Sequence, residues 1–223
     1  MKYNVICIAL GKQYELEAQR LLKKYPQTIL ITEETEGIEK SYSVPVLNGL
    51  MTKSNFAHFL PDDLKGPIFL CDADLFPAIE DPLSKFQVQS DIDLAFVSYS
   101  GTWHFPEKKL NDVIKDIPRI NSGFMYFKNI RVAKEISKGW YIQYKERIDE
   151  YLSGKIKKDR TGEYDEPSLM IWLYDHGKHF KLEVLDKKWN NWENLDIETY
   201  FRHGHLNNYC SYQAAPTLRK FAP

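Results

Sequence analysis

Two carboxylates, Asp72 and Asp74, follow directly on the apolar run Phe69-Leu70-Cys71. In extended chain, residues two apart point to the same side, so the spacing predicts one shared acidic face. Carboxylates that close repel each other unless a cation lies between them. A hard divalent ion with oxygen ligands, Mn²⁺ or Mg²⁺, suits such a pair, and a substrate's phosphates often complete its shell. The plain alternative is an acidic turn at the end of a strand. A buried strand leading into the pair, rather than a helix cap, favours the metal.

An acid pair of this kind works only if a sheet carries it to an open rim. Residues 67–71 read as a continuous apolar strand, as expected at the centre of a parallel sheet. Ligands of open α/β sheets bind beyond the carboxyl ends of the strands, where Asp72 and Asp74 would lie. Strands are also expected over 3–10, 28–32, 93–98 and 123–127. Helical spacing of Tyr14, Ala18, Leu21, Leu22 and Tyr25 predicts a helix over 13–25, stopped by Pro26. Further helices are expected over 51–60 and 132–152, with another opening at Asp165-Glu166-Pro167 and closing before Gly177. Residues 153–164 are charged and Gly-punctuated, a surface loop. The last forty or so residues lack periodicity and predict an irregular wrap. The alternation specifies an α/β fold: a central, mostly parallel sheet with helices on both faces.

The chain has 223 residues, 43% hydrophobic and 27% charged, the mix of one packed domain over residues 1–223. Thirty Lys and Arg against 31 Asp and Glu give a net charge of -1. That balance excludes a partner held mainly by bulk charge, such as duplex DNA or an anionic membrane. Cys7, Cys71 and Cys210 are odd in number and form no CxxC, so neither a disulfide framework nor a zinc site is indicated. The N-terminus lacks a signal-peptide pattern and no apolar run is long enough to span a membrane. A cytoplasmic protein is expected, in the host cytoplasm if the enzyme is virus-encoded.

The stretch around Leu70-Cys71-Asp72-Ala73-Asp74, preceded by Leu60-Pro61-Asp62-Asp63-Leu64, resembles the GT-A glycosyltransferases, with the glycogenin and galactosyltransferase-like (family 8-type) group nearest. Ile120-Asn121-Ser122-Gly123 is similar to the family's Asn-Ser-Gly strand, and Asp165-Glu166-Pro167-Ser168-Leu169 to its Asp-Gln-Asp-x-Leu helix start. The resemblance implies a single GT-A domain, nucleotide-binding over about 1–100 and acceptor-binding over about 101–223. It implies a metal-dependent transferase that uses a nucleotide-diphosphate sugar, UDP-linked, and Mn²⁺ or Mg²⁺. The acceptor would be a hydroxyl on a glycan, a glycoprotein or a modified nucleobase.

Carried over residue by residue, the resemblance puts Asp72 and Asp74 on the metal, with Ala73 beside them. It puts Ala9, Leu10, Gly11 and Tyr14 around the nucleotide base, and Asn121 and Ser122 on sugar hydroxyls. Asp165 and Glu166 would stand beside the reacting carbon. The sequence departs from the family in three places. A final ligand would be His203 or His205, but the spaced Gly and Lys of the family's C-terminal motif are missing. Lys53 or His58 stands where an Arg usually grips the donor sugar. Glu166 replaces the Gln of retaining members. Basic residues Lys155, Lys157, Lys158 and Arg160 form either a lid over the diphosphate or a solvated loop. Trp103, His104, Phe105, Trp189 and Trp192 form either an acceptor platform or core.

Two other readings compete. Haloacid-dehalogenase-like phosphatases also use Asp-x-Asp after a strand, with Asp72 then the nucleophile, but they do not continue as Leu75-Phe76-Pro77. A non-catalytic carbohydrate-binding module on a transferase scaffold would bind sugar without turnover.

Overall fold

Strands whose successive residues are all apolar must be covered on both faces, and the computed structural model shows how. It describes residues 3–42, 45–99, 108–155, 165–191 and 198–204. Six strands form one sheet: β1 (Asn4–Ile8), β2 (Ile29–Ile31), β3 (Ile68–Asp72), β5 (Leu94–Ser98), β6 (Ile120–Phe127) and β7 (Leu182–Leu185). Their order is β2-β1-β3-β6-β5-β7, with β6 alone antiparallel to its neighbours. Five helices accompany the sheet: α1 (Lys12–Lys24), α2 (Pro45–Ser54), α3 (Lys108–Asp116), α4 (Ile130–Leu152) and α5 (Glu166–His176).

Alternate residues of each central strand enter different cores. Ile6, Ile68, Leu70 and Phe96 pack with Leu110 of α3, Trp140 of α4 and Leu169 of α5. Val5, Cys7, Phe69 and Cys71 face the other way, against Ala18 and Leu21 of α1 and against Trp189 and Phe201. Trp189 is therefore a core residue, stacked at 5.5 Å on Phe124. Each such fully buried side chain contributes roughly 1.5–3 kcal/mol.

The expected helix over 51–60 is displaced. α2 starts earlier and ends at Ser54, and Phe56–Phe59 is a separate 3-10 turn. Apolar spacing alone does not distinguish one bent helix from two short pieces. The final segment is also more ordered than its aperiodic sequence suggests. Leu182–Leu185 is the edge strand β7, and β8 (Phe201–His203) pairs antiparallel with β4 (Leu75–Pro77). Among the described residues no helix is long and apolar enough to cross a membrane.

Candidate active site

Asp72 is the last residue of β3, while Asp74 lies in the turn to β4. The two carboxylates thus converge through a turn and not through strand alternation, a correction to the expected geometry. β4 matters because β8 pairs with it in the register Leu75↔His203. The Gly204 N–H then donates to the Asp74 carbonyl at 3.0 Å. That ribbon carries His203 from the far end of the chain to the acid pair. Its Nε2 lies 3.0 Å from Asp74 Oδ1 and 3.6 Å from Asp72 Oδ2. One ligand atom from each of the three residues fits within 4.8 Å of the others. Two carboxylate oxygens and one imidazole nitrogen fit a divalent ion of the Mn²⁺ type. His205 lies outside the described residues.

The protonation of His203 is set by a chain of hydrogen bonds that begins at a backbone donor. The Gly123 N–H donates to Asn121 Oδ1 at 2.9 Å, so that atom is an acceptor. Asn190 Nδ2 donates to the same oxygen at 2.6 Å, which turns Asn190 Oδ1 toward His203 Nδ1, 3.0 Å away. Nδ1 must therefore carry hydrogen, leaving Nε2 directed at the carboxylates. Burial opposes a charge on this imidazole, but its hydrogen bond to Asp74 and the fields of Asp74 and Asp72 outweigh it, and its pKa is raised. A metal ion would compete with that proton.

Asn190 was not singled out from the sequence. Its only signal was the Asn190-Asn191 pair in an aperiodic aromatic stretch. Replacing Asn190 with Ala should lower divalent-metal affinity by about 10–100-fold, the usual effect of losing a partner that orients a ligand. Asn190→Asp keeps the acceptor for Nδ1 but sets a carboxylate oxygen against Asn121 Oδ1, so it should lose affinity as well. Calorimetric titration with Mn²⁺, beside the unfolding temperature of each variant, separates this from simple destabilisation. Equal affinities in the Ala variant and the parent would remove the role.

Lys53 holds the other side of the acid pair. It projects from α2 into the protein, where its Nζ lies 2.5 Å from Asp72 Oδ1, 2.9 Å from Ser122 Oγ and 3.8 Å from Asp165 Oδ2. Burial disfavours the ammonium, yet Asp72, Asp165 and Glu166 together raise its pKa, so it stays charged. One oxygen of Asp72 is thereby committed to Lys53, and Oδ2 faces His203. The Ser122 hydroxyl is shared between Glu166 Oε1 at 3.2 Å and Asp165 Oδ2 at 3.3 Å. Tyr99 Oη donates to the same Glu166 oxygen at 3.3 Å.

Ser122 reaches these partners because β6 bulges. Its pairing with β5 jumps from Phe96↔Met125 to Val97↔Asn121, leaving Ser122, Gly123 and Phe124 without β5 partners. Bulges re-aim side chains in this way. Asp165 occupies the N-cap position of α5 yet makes no side-chain cap. It forgoes roughly 1 kcal/mol of helix stabilisation. Its carboxyl turns inward to Lys53 and Ser122 instead, and only 2% of the residue is exposed. Burial raises its pKa, opposed by Lys53 and reinforced by Glu166 and Asp72.

These residues border a cleft of about 680 Å³ lined by Leu10, Tyr14, Lys53, Asp72, Ala73, Asp74, Asp165, Glu166 and His203, with Asn48 and Leu50 of α2 opposite. Gly11 turns the chain from β1 into α1 at φ 101, a torsion that favours glycine. Ala9 is fully buried in the core and does not border the cleft. Asn121 is 2% exposed and is not among the lining residues of this cleft; its side-chain oxygen accepts from Asn190. Lys53 reaches the cleft, whereas His58 lines a separate cavity. Lys155 is exposed. Lys157, Lys158, Arg160, Trp103, His104, Phe105 and Trp192 lie outside the described residues.

No protein-family model and no curated protein matches the sequence. Solved structures do. A glycosyltransferase involved in the glycosylation of the major capsid of PBCV-1 superposes with a TM-score of 0.57 and 13% identity, over 91% of this chain and 92% of that one. Mouse xyloside xylosyltransferase 1, in its apo form, superposes with a TM-score of 0.51 and 12% identity, over 93% and 99% of the two chains. At these identities the likeness is one of architecture: the chain has a GT-A-like glycosyltransferase fold along its described length.

Proposed function

We propose that this protein is a metal-dependent glycosyltransferase of the family 8 type, moving a sugar from a UDP-linked donor to a hydroxyl acceptor on a glycan, a protein or a nucleobase. One observation carries the reading. Asp72, Asp74 and His203 converge at the carboxyl end of a central strand, on the rim of a cleft, within a fold shared with two glycosyltransferases.

When bound, Mn²⁺ or Mg²⁺ supplies a Lewis acid that offsets the charge growing on the departing diphosphate, worth several kcal/mol. Asp72, Asp74 and His203 would hold it. Leu10 and Tyr14 form the wall that takes the nucleotide base, with Gly11 keeping the backbone low beneath it. Ala73 lets the donor approach between the two acids. Lys53 keeps Asp72 and Asp165 from repelling each other and stands beside the donor sugar. Ser122 orients Glu166, which faces the reacting carbon, while the more deeply buried Asp165 positions Lys53.

A thermal-shift panel of UDP-, GDP- and CMP-sugars, each with and without Mn²⁺, tests the reading. A ligand at a hundred times its Kd adds about 2.7 kcal/mol to the folded state. For a chain of this size that is an upward shift on the order of 5–10 °C. The shift should occur with UDP-sugar and metal together. No shift with any donor, or one indifferent to metal, would refute the proposal.

A further inference from the structure

A second cavity lies behind α2. Asn48, Gly49, Leu50 and Lys53 face the cleft, while Met51, Thr52 and Asn55 turn to a space of about 540 Å³ closed by α4. α4 contributes Lys134, Ser137, Lys138 and Tyr141, residues three and four apart that share one helical face. A volume of this size is typical of small-ligand sites.

The polar groups around it divide into those already used and those left over. Ser137 Oγ donates to the Ser54 carbonyl at 2.8 Å and accepts from the Ala57 N–H. Glu39 is engaged by Ser41, Tyr141 and Lys145, which hold its pKa down to about 2. Those bonds pin the Tyr141 ring at the wall. Lys134 is paired with Asp62. The Asn55 amide, the His58 imidazole and the Lys138 ammonium make no polar contact among the described residues.

The unused groups describe a ligand. The Asn55 amide suits a polyhydroxylated ring, whose C–H face packs on Tyr141 and Phe59. The free ammonium, with His58 beside it, suits one negative charge. A phosphate would call for the second cation that Asp62 already takes. We propose that this cavity binds an acidic saccharide, a uronate-containing unit the size of a disaccharide, whose carboxylate meets Lys138 and whose hydroxyls meet Asn55. The site is distinct from the metal cleft and does not rest on the transfer reaction.

Ligand-observed NMR on the full chain, without metal or nucleotide, tests this with a glucuronate-containing disaccharide and its methyl ester. Saturable binding of the acid is expected, about tenfold weaker for the ester, and about tenfold weaker in Lys138→Met and in Asn55→Ala. Both side chains are surface-facing or half-buried, so these variants fold. Asp74→Ala, which disables metal binding in the cleft, should bind the disaccharide as the parent does. No saturable binding, equal binding of acid and ester, or a loss in Asp74→Ala that matches Lys138→Met would each overturn the assignment.

Discussion

Asp74→Ala should fold, bind no divalent metal at micromolar concentration, and lose at least about a thousandfold in metal-dependent sugar transfer. Withdrawing an electrostatic contribution of several kcal/mol from the transition state corresponds to that factor, since each 1.36 kcal/mol is tenfold. Asp74 suits the experiment better than Asp72. Its carboxylate serves the metal set and His203, and the charged hydrogen bond to His203 is worth about 1.5–3 kcal/mol to the fold. Asp72 also neutralises Lys53, which is 7% exposed, so Asp72→Ala would strand a buried ammonium and confound stability with chemistry. The checks are metal titration, circular dichroism and turnover with Mn²⁺. A folded Asp74→Ala protein with undiminished turnover would end the metal assignment.

Gly123→Ala is expected to do comparable damage without removing any ligand. A Cβ at this position would lie 2.7 Å from Asn190 Nδ2, 2.8 Å from His203 Cε1 and 2.9 Å from His203 Nδ1. All three are closer than packed atoms tolerate, and neither side chain can retreat without breaking the chain from Asn121 to His203. Overpacking of this kind costs roughly 1–3 kcal/mol of stability. Moving the imidazole should cost about 10–100-fold in metal affinity as well. A lowered unfolding temperature with unchanged Mn²⁺ affinity would show that His203 does not depend on this floor. Gly123 is required here for space, whereas Gly11 is required for its torsion.

Much of the sheet was legible because β1, β3 and β5 are near-continuous apolar runs and α1 and α4 are periodic. β1, α1, β2, β3, β5 and α4 lie where the pattern predicts them. α2 was misplaced because its apolar residues continue into the Phe56–Phe59 turn, with nothing in the spacing to mark the break at Asn55. β7 and β8 escaped notice because a strand of three or four residues has too few alternations to register as a period. For β8 the consequence is larger, since its pairing with β4 is what selects His203 as the residue facing the acids.

The sequence by itself determined the acid pair, the strand that delivers it and the α/β class, because each depends on neighbours a few positions away. Only the tertiary structure decided that His203 reaches the carboxylates, that Asn121 steadies Asn190, and that Lys53 rather than His58 enters the cleft. Those outcomes depend on register between strands and on which face of α2 turns inward. Both are set by packing between segments remote in the chain, where local pattern carries no information.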